Sequence, residues 1–117
     1  MSSDTSAQTL RNMAGQDHFC ADQTGLYSGV SNQALKSELN AKVDAATQAL
    51  AAAADDKAET AALLAIVKEH LAGIDRYALD TEDAEHVAGL FEQMLDALGI
   101  ESSEGILNDW MYGFGPA

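Results

Sequence analysis

The segment Asp80–Ile100, DTEDAEHVAGLFEQMLDALGI, decides the fold class of this chain. It begins with a helix start signal, because Thr81 can cap a helix and three acids crowd the first turn, where the helix dipole is positive. One apolar stripe at helical spacing follows, formed by Val87, Leu90, Phe91, Met94, Leu95 and Leu98. Gly99 stands where a left-handed residue ends a helix, and Ile100 can fold back onto that end. The segment predicts an amphipathic helix over 82–98.

Two further helices are predicted upstream. The first runs over 32–53 with Ser31 as its N-cap, because five apolar residues recur at spacings of three or four: Leu35, Leu39, Val43, Ala46 and Leu50. Asp55 and Asp56 should break this helix and cap the next one, over 57–75. The second stripe consists of Leu63, Ile66, Val67, His70, Leu71 and Ile74. Two helices joined so briefly should pack antiparallel.

The chain ends in a short fourth helix, predicted over 104–112 within the segment 101–114, ESSEGILNDWMYGF. Ser102 or Ser103 can cap it, and Gly113 and Pro116 should stop it. Its apolar face comprises Ile106, Leu107, Trp110 and Met111. Since aromatic residues at helical spacing usually pack, Trp110 is predicted to close the core; the alternative is an aromatic surface offered to a partner.

The first 30 residues give a weaker signal. Gly15, Gly25 and Gly29 interrupt every run, which predicts an irregular N-terminal arm with at most one helical turn around 9–14. The predicted fold is therefore all-α, a single-domain bundle of three main helices plus a short C-terminal helix. The arm occupies 1–30 and the helical domain 31–117.

The charge of the chain is strongly negative and unevenly distributed. The formal net charge is −13, and residues 81–117 alone contain 8 acids and no Lys or Arg. Nucleic acid and anionic lipid are bound through Lys and Arg, so neither is expected as a partner. A protein with a basic surface is the natural complement, although charge can also serve solubility alone.

The cellular compartment and the absence of membrane insertion are predicted from features that the sequence lacks. Cys20 is the only cysteine, so no intrachain disulfide can form. The polar opening is not a signal peptide as written, which predicts a cytoplasmic protein, or a periplasmic one if a signal peptide has been removed. The longest apolar run, over 49–54, is far shorter than the roughly twenty residues that span a bilayer, and no membrane insertion is expected.

Metal and nucleophilic chemistry are not favoured. The segment Asp17–Asp22 gathers four potential ligands, but it has a single soft one, whereas a structural zinc site needs four ligands. Cys20 is predicted to lie in apolar surroundings, and the acidic field opposes the lowered pKa that a reactive thiol needs. His70 is expected at the core or its boundary, and His86 in solvent beside acidic neighbours.

No catalytic signature is present. The sequence has no calcium loop, phosphate-binding loop or nucleophile elbow, and capping explains the carboxylate pairs Asp55–Asp56 and Glu82–Asp83. The prediction is a protein that is not an enzyme, without catalytic residues, cofactors or metal.

A row of acids on the polar side of the 82–98 helix is the candidate binding surface. It consists of Glu82, Glu85, Glu92 and Asp96. Gly89 lies in the same row and leaves a bare patch where another backbone could approach. Asp109 and Tyr112 point away from the apolar face of the last helix and complete the predicted partner-binding set. A merely solvated helix face is the alternative, although aligned like charges reduce helix stability.

Three stretches carry a resemblance to a known family: Leu79–Asp83, Phe91–Asp96 and Gly99–Phe114. Over this C-terminal third the chain resembles domain-of-unknown-function family 4844, a set of short helical bacterial proteins. The resemblance implies a helical fold and brings no activity or site with it.

The leading functional expectation is a non-enzymatic module that binds a basic protein through its acidic C-terminal half, as bacterial immunity or inhibitor proteins do. The alternative is a homodimeric structural or regulatory module that associates through apolar helix faces. An enzyme or metal protein built on His18, Cys20 and a second histidine ranks last.

Overall fold

The computed structural model describes residues 2–20, 29–30 and 32–112 of the chain. Over these residues the fold is all-α, with no strand. The helices are α1 (Ser2–Met13), α2 (Gln33–Asp55), α3 (Thr60–Ala72), α4 (Thr81–Ala97) and α5 (Ile106–Tyr112), with a 3-10 helix at Arg76–Ala78 between α3 and α4.

Helix α4 agrees most closely with its prediction. Its ends differ from the predicted 82–98 by one residue each, and its apolar stripe is buried except for Leu98, which is half-buried. The cap is Asp80 rather than Thr81, because the Asp80 carboxylate accepts a hydrogen bond from the Asp83 amide at 2.8 Å. At the other end Gly99 has φ of 74°, and the Ile100 amide donates to the Leu95 carbonyl at 2.9 Å. The predicted glycine ending is confirmed.

Helix α2 also follows its predicted stripe, with Leu39, Val43 and Leu50 buried. Its N-cap is Asn32, whose side chain accepts from the Leu35 amide at 3.0 Å. The predicted cap, Ser31, lies outside the described residues. The helix continues to Asp55, two residues beyond the predicted end.

Helix α3 is shorter than predicted at both ends. Asp56 caps the C-terminus of α2 instead of starting α3, and Lys57 takes a left-handed φ of 59°, so the chain turns before it becomes helical at Thr60. The helix stops at Ala72, after which the Ile74 amide bonds to Leu71 in a tight turn. Within it Leu64 is buried, whereas His70 is half-buried at the core boundary, as predicted.

The prediction of an irregular N-terminal arm is wrong over Ser2–Met13, which forms α1. Helix α1 packs against α2 and α4, with Ala7 and Leu10 fully buried. Arg11 holds it to the end of α2 through an ion pair with Asp55 at 2.5 Å. The segment after α1 also joins the core, since Phe19 is fully buried. A domain boundary at residue 30 stays a prediction.

Helix α5 begins two residues later than predicted and packs against both α3 and α4. Gly105, with φ of 89°, turns the chain into it, and the Ser103 hydroxyl accepts from the Leu107 amide at 3.4 Å. Met111 is buried, while Ile106, Leu107 and Trp110 are half-buried against the core. The helix therefore covers one side of the core, which agrees with the predicted role of Trp110.

Candidate functional site

The six residues predicted to bind a partner are all exposed: Glu82, Glu85, Glu92 and Asp96 on α4, and Asp109 and Tyr112 on α5. Tyr112 is notable because 53% of its surface is accessible although its neighbour Met111 is buried. That these residues bind a partner stays a prediction. The structure shows how they are arranged.

A groove of about 430 Å³ runs between α4 and α5. Its floor is apolar, since Ala88 and Met111 are buried and Leu107 is half-buried. Glu85 and Glu92 stand along the α4 side, seven residues apart on that helix. Ser103, Asn108 and Tyr112 complete the lining. The groove thus combines an apolar floor with an acidic wall.

A second hollow, of about 260 Å³, adjoins the groove at the C-terminal end of α4. The two share Glu92, Ser103 and Leu107. The second hollow adds two further carboxylates, Asp96 and Glu101. The acidic wall therefore continues along α4 past the groove and onto the turn that follows it.

Four of the six predicted residues meet at these hollows, namely Glu85, Glu92, Asp96 and Tyr112. Glu82 and Asp109 do not line either one. Glu101 was missed, because it follows the glycine that ends α4 and lies outside the helical row from which the prediction was made. Glu101 is one of the eight acids in residues 81–117, and this concentration of negative charge is the signal that could have suggested it.

The position of α5, and hence the groove, depends on two long-range hydrogen bonds. The Trp110 indole N–H donates to the Ile74 carbonyl at 3.1 Å. The Arg76 guanidinium donates through Nε to the Met111 carbonyl at 2.9 Å and through a terminal nitrogen to the Leu79 carbonyl at 3.3 Å. A cation beside the last carbonyls of a helix also complements the helix dipole. The sequence patterns did not reveal the role of Arg76.

A separate polar cluster surrounds Asp17, where a metal site had been considered. The Asp17 carboxylate pairs with Lys36 at 2.9 Å and accepts from the Asn40 side chain at 3.0 Å. Lys36 and then Asn40 lower the pKa of Asp17 from 3.8 to about 2. Among the described residues, no three or more His, Cys, Asp or Glu side chains are placed to hold a metal ion together. Asp22 lies outside those residues.

Two predictions about this region are wrong. Cys20 is exposed rather than placed in apolar surroundings, with its thiol 3.5 Å from the Asp17 carbonyl. His86 is half-buried rather than solvated, because its ring meets that of Phe19 edge-on with centroids 5.5 Å apart. Its Nε2 also lies 2.5 Å from the His18 carbonyl, within hydrogen-bond distance. Phe19 is 67 residues away in sequence, so the helical pattern around His86 gave no sign of this contact.

In the part of the chain that the structure describes, no helix is both long and apolar enough to cross a bilayer.

Comparisons with known proteins identify the family. Among curated proteins no sequence matches significantly. Among solved structures, the chain is similar to the crystal structure of a DUF3571 family protein from Acinetobacter baumannii AYE. The two share 46% sequence identity with a TM-score of 0.89, over 96% of this chain and 92% of that one.

The family described as Domain of unknown function (DUF4844) matches residues 1–115. The resemblance noted in the C-terminal third thus named the right family, but it was too narrow, since the match extends over nearly the whole sequence. The chain belongs to the DUF4844 family.

Proposed function

We propose that this protein is a non-enzymatic binding module whose α4–α5 groove takes a basic segment of another protein and blocks that partner, as an immunity or inhibitor protein does. The observation that carries the proposal is the groove itself, which has an apolar floor of Ala88, Leu107 and Met111 beside a wall that includes Glu85 and Glu92.

The two parts of the groove would contribute differently to binding. Burying an apolar side chain on the floor supplies affinity, because apolar surface leaves water. The carboxylates select a basic partner and steer its approach, since complementary charge acts mainly on specificity and association rate. Tyr112 adds an exposed aromatic ring at the edge, a residue type enriched where partners dock.

A binding role suits these carboxylates better than acid–base chemistry. Catalytic carboxylates are usually desolvated and coupled to a second charged group in a cleft. Glu85 and Glu92 are both exposed, and they lie about two helical turns apart on α4. Their arrangement favours attraction of a positive surface over proton transfer at one atom.

The burial pattern also favours this proposal over a homodimer built on apolar helix faces. Among the described residues, the large hydrophobic side chains that are exposed are Tyr77, at 82%, and Tyr112, at 53%. The apolar stripes of α2, α3 and α4 are buried within the chain except for Leu35, Ile66 and Leu98, which are half-buried against the core. A second copy would also bring one strongly negative surface against another.

The test is capture of partners by three immobilised forms of the protein from a lysate of its source organism. The second form carries Glu85→Lys, Glu92→Lys and Asp96→Lys. The third is a matched control with Glu38→Lys, Glu59→Lys and Glu69→Lys, which are exposed acids on or beside α2 and α3. Both triple variants have the same net charge. A basic protein kept by the parent and the control, but lost from the groove variant, is the expected result.

The captured protein is then purified, and its association rate is measured against all three forms at low and high salt. We expect slower association with the groove variant and a rate that falls with salt for the parent. Equal loss in both triple variants would mean that net charge, not the groove, attracts the partner. Equal capture by all three forms would exclude the groove as the binding site.

A further inference from the structure

We infer that the segment held by the groove is a basic α-helix of the partner, which lies along α4 and approaches it most closely at Gly89. This inference rests on the proposed function and adds the form of the bound segment to it.

The spacing of the acidic row matches the way one helix meets another. Its members and the glycine between them are Glu82, Glu85, Gly89, Glu92 and Asp96, at intervals of three, four, three and four residues. Alternating steps of three and four place side chains on one nearly straight stripe along a helix, the spacing used in helix–helix seams. From first to last the row rises about 21 Å, or about four turns. A partner helix of about four turns would match it.

Gly89 is the member of the row that has no side chain. A glycine inside a helix makes the helix less stable than an alanine would, so this glycine needs a structural or functional explanation. Its φ is not left-handed, and a Cβ added there would meet nothing within 4 Å apart from the neighbouring part of α4 itself. Packing among the described residues therefore does not require a glycine. A bare backbone in the middle of the row does let a second backbone come close to α4.

The groove beside the row provides a place for an apolar side chain of the partner helix. Glu85 and Glu92 lie about 10 Å apart along the axis of α4. A helix that places Lys or Arg opposite each of them carries those residues one heptad apart. An apolar side chain between the two then faces the floor formed by Leu107 and Met111. The surface thus selects a basic helix with an apolar residue at the centre of its inner face.

An extended peptide fits this surface less well than a helix. The groove lies between the helices α4 and α5, and no strand borders it among the described residues. A strand laid there would find no sheet edge to pair with, and its own amides and carbonyls would lose water without gaining partners. A helix satisfies its backbone internally and needs only side-chain contacts.

The first test uses two synthetic peptides of about 18 residues, long enough to cover the row. They have the same composition. In one, lysines at three- and four-residue spacing line a single face around a central leucine; in the other, the same lysines are spread around the helix. We expect the patterned peptide to bind the parent protein at least about tenfold more tightly. Its circular dichroism should also show a gain of helix on binding.

The second test adds a side chain at the point of closest approach. Gly89→Gln should leave the melting temperature unchanged or higher and weaken binding of the patterned peptide by at least about tenfold. Ala65→Gln is the matched control, because Ala65 is an exposed small residue on α3. It should bind the peptide as the parent does. Equal affinity of Gly89→Gln and the parent would overturn the inference.

The outcomes separate this inference from the function it rests on. If both peptides bind the parent equally and the triple lysine variant at Glu85, Glu92 and Asp96 binds neither, the helical form is wrong while the acidic groove stands. If the patterned peptide binds that triple variant as tightly as the parent, or if neither peptide binds the parent at low salt, both the inference and the groove's role are wrong.

Discussion

At the scale of single residues, Trp110 shows how one side chain can fix a helix that is too short to be stable alone. Its ring packs half-buried on the core, and its N–H donates to the Ile74 carbonyl at 3.1 Å. The ring and the donor make separate contributions, so two substitutions at this position can measure them separately.

We expect Trp110→Ala to lower the free energy of unfolding by about 2–3 kcal/mol, below the roughly 3–5 kcal/mol for a fully buried aromatic. Trp110→Phe keeps an aromatic ring and leaves the Ile74 carbonyl without this donor, which should cost about 1 kcal/mol. Urea unfolding followed by circular dichroism measures both. A loss below about 0.5 kcal/mol for the alanine variant would mean that the indole does not hold α5 to the core.

Asp17 gives a pH-dependent prediction. Lys36 and Asn40 lower the pKa of its carboxyl from 3.8 to about 2. Because the pKa in the folded state is the lower one, the contact stabilises the fold above pH 3.8, and this stabilisation is lost as the pH falls toward about 2. The melting temperature of the wild type should therefore fall more steeply over this window than that of Asp17→Asn.

The control for Asp17 is Asp56→Asn, which removes an exposed carboxylate at the end of α2. Its melting temperature should follow the wild-type slope between these pH values. Parallel slopes for the wild type and Asp17→Asn would show that the contacts of Asp17 do not stabilise the fold.

At the scale of helices, the start of α4 distinguishes two neighbouring capping residues. The sequence favours Thr81, whereas the structure has the Asp80 carboxylate bonded to the Asp83 amide. Asp80→Ala should therefore cost about 1 kcal/mol of stability, the usual value of an N-cap, and Thr81→Ala should cost less than half of that. Denaturant unfolding of the two variants measures both losses of stability. A larger loss for Thr81→Ala than for Asp80→Ala would identify Thr81 as the cap.

The helices also show what sequence can and cannot predict. Strong local signals, such as the stripe of α4 and Gly99 after it, place an element within one residue. Helix α1 was missed because its core face rests on Ala7 and Leu10, a weak apolar pattern next to a glycine-rich stretch. It becomes buried only through packing against α2 and α4, which no local pattern contains.

The candidate site, too, could be predicted only in part from the sequence. The acidic row on α4, including Glu85 and Glu92, follows from helical period alone. The groove beside it does not, because the place of α5 depends on contacts that Trp110 and Arg76 make across about 35 residues of sequence. Glu101 lines the site because the turn between α4 and α5 carries it there, and this placement also depends on the position of α5.

At the scale of the whole molecule, the net charge of −13 opposes folding, since like charges come closer together in the compact state. Ion pairs such as Arg11–Asp55 act in the other direction, but exposed pairs contribute little. Repulsion should therefore dominate the response to salt.

We expect the melting temperature to rise between about 20 mM and about 0.5 M NaCl, as the screening length shrinks. The variant with Glu85, Glu92 and Asp96 changed to Lys should show a smaller rise, because it begins with less repulsion. Calorimetry at several salt concentrations measures both. A melting temperature that falls with NaCl would mean that ion pairs outweigh repulsion in this fold.

The short length of α5 has a consequence for how long the groove keeps its shape. Seven residues are too few to remain helical in water without support, so α5 depends on its packing and on the bonds to Ile74 and from Arg76. Its amide hydrogens should exchange with deuterium well before those of α4, through a local opening that leaves α4 intact. A partner that binds only the closed form would slow this exchange, and the degree of protection would then report its affinity.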